Sequence, residues 1–165
     1  MLDPFDLIIL NLVQQNDNRA ADSLAEDVPL SPSAIARRLR RLRREGWIAR
    51  TIALLAPRLT QARLRALVMI QLAEHTDVKG KAVLEQRLSG CDAVQFCYEI
   101  AGPLDLVCLL DCASMDEFNV VTNDLLASSA TVRRYETYFV KREVKFAPFV
   151  RLVSANPAAA GPWTG

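Results

Sequence analysis

The chain has 165 residues, about half of them apolar and a quarter charged, enough for one ordinary domain or two small ones. It contains no apolar run of about 18 residues, and its start carries Asp3 and Asp6 where a leader would be basic. A membrane span and a secretory signal are therefore not expected, and a cytoplasmic protein is. The net charge of +1 hides a sharp asymmetry: residues 1–30 hold one arginine against six acids, whereas residues 31–58 hold eight arginines against one acid. A basic block of that density points to a polyanionic partner.

Asp3-Pro4 begins the first element, a capping side chain followed by proline at a position that needs no N–H. Phe5, Ile8, Ile9 and Leu12 then recur at i, i+3, i+4 and i+7 and predict a helix over residues 4–15. Asn16, Asp17 and Asn18 break it. A short helix is expected over residues 20–27, with Leu24 and Ala25 inward. Ser31-Pro32 repeats the cap-and-proline signal for a third helix ending near Glu45, with Ile35, Leu39 and Leu42 as its apolar stripe and Gly46 as its stop. Three short helices with a brief turn before the third make a helix-turn-helix. Trp47, Ile48 and a strand over residues 51–55 are expected to close its core, as in winged variants. The first domain is read as residues 1–50 and the linker as 51–62.

The second half changes period. A strand is expected over residues 64–73, a helix over 77–88, and a strand in which Val94, Phe96, Tyr98 and Ile100 alternate with Gln95, Cys97 and Glu99. Gly102-Pro103 marks a turn, residues 104–110 another strand, and Ser114 with Glu117 a capping box. Met115, Phe118, Thr122, Leu125 and Leu126 mark the next helix. A last strand over residues 135–146 carries Tyr138, Val140, Val144 and Phe146 on one side. The order β-α-β-β-α-β is ferredoxin-like, over residues 63–152, so the fold class is α+β. Residues 153–165 read as a flexible tail rich in Ala, Pro and Gly. Two helices cover only one face of such a sheet. Leu67, Met69, Val107 and Leu109 fall on the other, and a second copy of the chain is the simplest cover.

On a helical wheel with Ile35 at zero, Leu39 and Leu42 lie within about 40° of it, while Ser33, Arg37, Arg40, Arg41 and Arg44 fall between roughly 140° and 240°. Arg38 and Arg43 flank the apolar stripe. In a helix-turn-helix the N-terminal part of this helix enters the major groove, so Ser33, Ala34, Arg37 and Arg38 are expected at base edges. Arg41 and Arg44, further along, are expected at phosphates, with Arg40 on the same face. Ser31 and Ser33 leave helix N–H groups near a phosphate path. The simpler reading of a charge run is a solvated face. Its place on the third helix favours double-stranded DNA.

The cysteines are Cys91, Cys97, Cys108 and Cys112, without a C-x-x-C pair, and the only histidine is His75. That spacing offers no zinc site, and Cys97 and Cys108 read as buried, reduced thiols. No cofactor is expected.

These motifs resemble those of the Lrp/AsnC, or feast/famine, regulators. The opening LDPFDLIILNLVQQNDNRA is similar to the family's LDxxDxxILxxLxxxxR start, and LSPSAIARRLRRLRREGWI to its LSxSxVxRRVxRLExxGxI recognition segment. The turn Gly102-Pro103-Leu104-Asp105 corresponds to the G-x-x-D motif of the effector-binding RAM domain. The resemblance spans residues 2–152. It implies a sequence-specific transcriptional regulator, modulated by an amino acid or related small molecule bound between RAM domains. It also implies a homodimer joined through back-to-back sheets, or an octamer of such dimers. Carried over by position, Gly102 and Asp105 line the effector cleft, and Glu99, Met115, Tyr138 and Phe139 match positions of effector response. Asp105 would accept a ligand's ammonium group, and N–H groups beside Gly102 would meet its carboxylate.

Two positions depart from the pattern: Pro29 stands where the family has Gly, and Leu59-Thr60 where its linker has Leu-Gly. An altered turn before helix 3 and a stiffer hinge are the expected consequences. The alternatives are an architectural nucleoid-type protein without effector, a scaffold that has lost DNA binding, and a sirohaem-decarboxylase-like enzyme. The enzyme would need histidine-bearing strands, and with His75 alone and no nucleophile–base pair it is not expected.

Overall fold

A computed structural model of the chain describes residues 1–73 and 78–153. His75, the expected helix start at Asp77 and the tail beyond Val153 lie outside the described residues. The chain divides into two compact units, one of Met1–Leu54 with Lys145–Gly165 and one of Leu55–Val144. The first unit thus takes in residues 145–152, which the sequence reading had placed in the second domain. No described helix is long and apolar enough to cross a membrane.

The first unit is built on α1 (Pro4–Gln15), α2 (Ala21–Leu24) and α3 (Pro32–Arg44). Asp3 caps α1 by accepting from the Asp6 N–H, and the Asp6 carboxylate accepts from the Asp3 N–H in return. The helix turns Ile9, Leu10 and Val13 inward against Leu24, Val28, Ile35, Leu39 and Leu42. Each fully buried aliphatic side chain here contributes about 1.5–3 kcal/mol. α2 is shorter than expected, a single turn followed by bends, though Leu24 points inward as predicted. At Pro29 the chain makes a three-residue turn, the Leu30 N–H donating to the Val28 carbonyl at 2.6 Å. That turn needs no positive φ, so proline replaces glycine without strain. Ser31 caps α3 through the Ala34 N–H. Gly46, at φ +76°, ends α3: its N–H reaches the Arg43 carbonyl while the Trp47 N–H reaches that of Leu42.

The expected wing strand over residues 51–55 does not form. Ile48 packs on the core, but Trp47 is 51% exposed and Ile52, Leu54 and Leu55 are more so. These apolar side chains find no second strand to pair with, and without one a strand is not stable. The place against α1 is taken by the C-terminal segment. The Asn11 amide exchanges hydrogen bonds with both backbone groups of Leu152, and the Gln14 amide does the same with Val150.

The second unit opens with a short helix, α4 (Pro57–Thr60), inside the expected linker. Then follow β1 (Leu64–Leu72), α5 (Val78–Ser89), β2 (Val94–Glu99), β3 (Leu106–Cys112), α6 (Met115–Thr122) and β4 (Val132–Phe139). The sheet order is β2-β3-β1-β4, every pair antiparallel, as the ferredoxin-like order requires. Ala66, Val68, Ile70, Leu106, Cys108 and Leu110 face the helices and pack on Leu84, Leu88, Phe118, Leu125 and Leu126. The last two lie on a π-type turn, Asn123–Ala127, that continues α6.

Two strands differ from expectation. In β2 the register shifts between Val94 and Phe96, so Gln95 is bulged. Val94 and Cys97 therefore face the core, while Phe96 and Tyr98 turn to the helix-free face, stacked with ring centroids 5.0 Å apart. A strict alternation would have put Val94, Phe96 and Tyr98 together. β4 ends at Phe139 instead of continuing to Phe146, because its partner β1 begins at Leu64; the Val140 N–H to Arg65 carbonyl bond is the final rung. Beyond it Val144 and Phe146 are exposed.

Candidate nucleic-acid interface and effector region

The arginines of α3 fall into two groups by what their guanidinium groups touch. Arg38 donates to Asp3 at 2.5 Å and to Asp6 at 2.7 Å, and lies 5.7 Å from the Phe5 ring centroid. Arg41 donates to the second oxygen of Asp6 at 2.5 Å. Asp6 itself is completely buried. Burial alone would raise its pKa; the hydrogen bonds from the Asp3 N–H, Arg38 and Arg41 outweigh that and hold it below the ordinary aspartate value. Asp3 is held low in the same way, its burial offset by the Asp6 N–H and Arg38. Arg43 pairs with Asp17 at 2.7 Å.

Arg37, Arg40 and Arg44 make no such pairs among the described residues, and all three are exposed. With Ser33 they stand at i, i+4, i+7 and i+11, one stripe along the helix. Asp3, Arg37, Arg38, Arg40, Arg41 and Arg44 line one shallow groove. Arg38 and Arg41, expected at base edges and phosphates, thus also carry ion pairs inside the unit. Their guanidinium groups share a buried carboxylate of α1 and so join α3 to α1. Ser31 accepts from the Ala34 N–H at 3.4 Å and touches Ser33 through their hydroxyls, so it acts as the cap.

In the second unit, the six expected effector residues separate. Glu99 ends β2 and pairs with Lys81 of α5, whose ammonium is held charged chiefly by that hydrogen bond. Asp105 directly precedes β3, one carboxylate oxygen accepting the Leu72 N–H at 2.8 Å. Gly102 lies between them in an exposed turn where an added Cβ would meet nothing within 4 Å. Met115, Tyr138 and Phe139 lie at the opposite end. Phe139 faces Ala66 in the register and stacks edge-on against Phe118, at 5.3 Å between centroids. Tyr138, on the helix-free face, donates to Glu136 at 2.7 Å. Glu99 is level with Ile70, four residues along β1 from Ala66, and β2 lies three strand spacings from β4. The two groups are thus about 19 Å apart within one chain, from a rise of about 3.3 Å per residue and about 4.8 Å per strand.

The profile of the Lrp/AsnC ligand binding domain matches residues 65–148, and that of a winged helix-turn-helix DNA-binding domain matches residues 2–49. The chain belongs to the Lrp/AsnC family. Like its relatives it is a DNA-binding transcriptional regulator. It is 32% identical to the leucine-responsive regulatory protein of Haemophilus influenzae over 92% of this chain and 90% of that protein. It is 28% identical to the glutamate uptake regulatory protein of Zymomonas mobilis, covering 96% of this chain and 95% of the other. Among solved structures, a transcriptional regulator from Neisseria meningitidis in an L-Met complex superposes with a TM-score of 0.78 at 26% identity, covering 90% of this chain and 95% of that one.

In this Lrp/AsnC chain the sequence reading missed the clamp on α3 and the Lys81–Glu99 pair. Asp3 and Asp6 stood in view as a cap and an acid three residues on. Nothing in the linear sequence joined them to Arg38 and Arg41, 35 residues away. Lys81 on α5 carried no motif at all.

Proposed function

We propose that α3 enters the major groove of double-stranded DNA with Ser33, Arg37, Arg40 and Arg44 toward the duplex. Arg37, nearest the helix N-terminus, reads base edges, and Arg40 and Arg44 bind phosphates. The observation that carries this reading is the exposed stripe of arginines that are unpaired among the described residues, on a helix whose other arginines are anchored. Arg38, Arg41 and the Ser31 cap position the helix and do not touch bases.

The effector is an amino acid or a close relative. It binds at the Gly102–Asp105 turn, which Glu99 and Lys81 flank, and Asp105 has a second carboxylate oxygen to offer an ammonium group. Open space at Gly102 leaves room for a ligand against the backbone. Met115, Tyr138 and Phe139 are too distant to reach the same small molecule within one chain, so a site holding both groups takes them from two chains. The names of the leucine-responsive and glutamate uptake relatives, and the L-Met complex of the Neisseria regulator, support an amino acid. Back-to-back pairing of the helix-free sheet faces, with Phe96 and Tyr98 added to Leu67, Met69, Val107 and Leu109, makes the homodimer. Such dimers assemble further where octamers form. The role places the protein with the chromosome, in the cytoplasm.

Genome-wide footprinting with and without each of the twenty amino acids tests these points together. Protected palindromes that shift with one amino acid are expected. Uniform coverage without response would mean an architectural protein instead.

A further inference from the structure

β2 and β3 bring two thiols face to face. Cys97 and Cys108 are direct partners in the antiparallel register, and the Cys108 thiol donates to the Cys97 sulfur at 3.1 Å. The Ile100 N–H donates to the Asp105 carbonyl, so counting back three residues makes Cys97 and Cys108 a non-hydrogen-bonded pair. In such pairs the Cα atoms approach to about 4.5 Å, within the roughly 4.4–6.8 Å that a disulfide spans. Both side chains are on the helix-facing side, away from the face assigned to the dimer. Cys108 is fully buried, whereas Cys97 is half-buried on β2, an edge strand. The ten residues between them contain Glu99, Gly102 and Asp105, the whole turn of the proposed effector region.

We propose that Cys97 and Cys108 form a reversible disulfide with a low-molecular-weight disulfide such as glutathione disulfide as oxidant, and that this bond locks the hairpin between β2 and β3. The Cys97 sulfur, as thiolate, attacks one sulfur of glutathione disulfide and displaces one glutathione thiolate, giving a mixed disulfide on Cys97. The Cys108 thiol then loses its proton to water and attacks the Cys97 sulfur, displacing the second glutathione. Two protein thiols become one disulfide, and the oxidant leaves as two glutathione molecules. Cys97 attacks first because it is the more accessible thiol. Burial and the contact with Cys97 push the Cys108 thiol well above its ordinary value, so it reacts only with a partner already in contact. In a reducing compartment the pair rests as thiols and closes under oxidative load. The effector reading gives the lock its significance, but the chemistry stands without it.

The test uses the full-length protein, folded and reduced, exposed to glutathione disulfide. Expected are the loss of two of the four thiols, a linked peptide joining Cys97 to Cys108, and full reversal by dithiothreitol. Cys97→Ser and Cys108→Ser should each prevent the crosslink, and the wild-type peptide map decides the matter should Cys108→Ser not fold. Hydrogen exchange over residues 98–107 should slow by at least about tenfold in the oxidised form. Glutathione retained on Cys97 without closure, a crosslink that uses Cys91 or Cys112, no thiol loss, or unchanged hairpin exchange would overturn the proposal. Neither readout uses an effector, so the result is independent of the effector reading.

Discussion

Replacing Asp6 with Asn isolates the clamp that joins α3 to α1. The substitution keeps volume and removes the charge that Arg38 and Arg41 share. Breaking a fully buried ion pair by removing one partner costs about 3–5 kcal/mol. Here the arginines remain 22% and 33% exposed and Arg38 keeps Asp3, so the stranded charges reach water or another partner. The cost expected is therefore roughly 2 kcal/mol. For a unit of this size that lowers the melting temperature by about 8–16 °C. Because the folded state depresses the Asp6 pKa, its stabilising contribution is complete above the ordinary aspartate value of about 3.9. It is lost as pH falls through the depressed value, so Asp6→Asn should also flatten acid destabilisation of the wild type. Thermal and acid unfolding followed by circular dichroism would read both effects. A melting shift under about 2 °C, with an unchanged acid limb, would refute the clamp.

If Arg37 reads bases and only Arg40 and Arg44 bind phosphates, a dimer makes about four phosphate contacts, and the slope of log K against log salt should be near −4 by electrophoretic titration. A slope near −11 would mean that all six arginines of α3 contact phosphate. Arg44→Ala should weaken every sequence about equally and reduce the slope by about 2 per dimer, whereas Arg41→Ala should lower stability and leave the slope alone. Leu109→Glu places a charge on the helix-free sheet face and should convert dimers to monomers in sedimentation; an unchanged mass would place the dimer contact elsewhere. Asn11→Ala with Gln14→Ala removes four side-chain bonds to Val150 and Leu152, and should cost about 1–3 kcal/mol and release the N–H groups of Val150 and Leu152 to fast hydrogen exchange. Continued protection of those groups would show the segment to be held by apolar packing of Leu152 alone.

Much of this was legible because local chemistry decided it. Asp3-Pro4 and Ser31-Pro32 start helices whatever surrounds them, and Gly46 ends one because its backbone adopts a positive φ that side chains resist. The ferredoxin-like order followed from the alternation of periods. The bulge at Gln95 was not legible, since an unbroken two-residue alternation gives no sign that one residue will be left out of the ladder. The missing wing and the short β4 share one cause: a strand needs a partner, and the partner's limits are set elsewhere in the chain. Asp105 was read as a polar residue at a strand start and as a ligand acceptor. One of its oxygens accepts the Leu72 N–H, a structural role that its place in the turn did not announce.

The charge asymmetry between residues 1–30 and 31–58 was read as a basic block with an acidic neighbour. In the fold the neighbour is part of the mechanism. Asp3, Asp6 and Asp17 pair with Arg38, Arg41 and Arg43, of which Arg38 and Arg43 flank the buried stripe, and no such pair is made by Arg37, Arg40 and Arg44 among the described residues. A helix bearing six free arginines would be attracted to any polyanion in many orientations. Pairing half of them internally narrows the positive field to one stripe and makes the same ion pairs serve as the joint between α1 and α3. Nonspecific attraction is reduced and orientation is gained from one set of carboxylates. For that reason net charge per segment pointed to the kind of partner but could not separate arginines paired inside the unit from those left exposed.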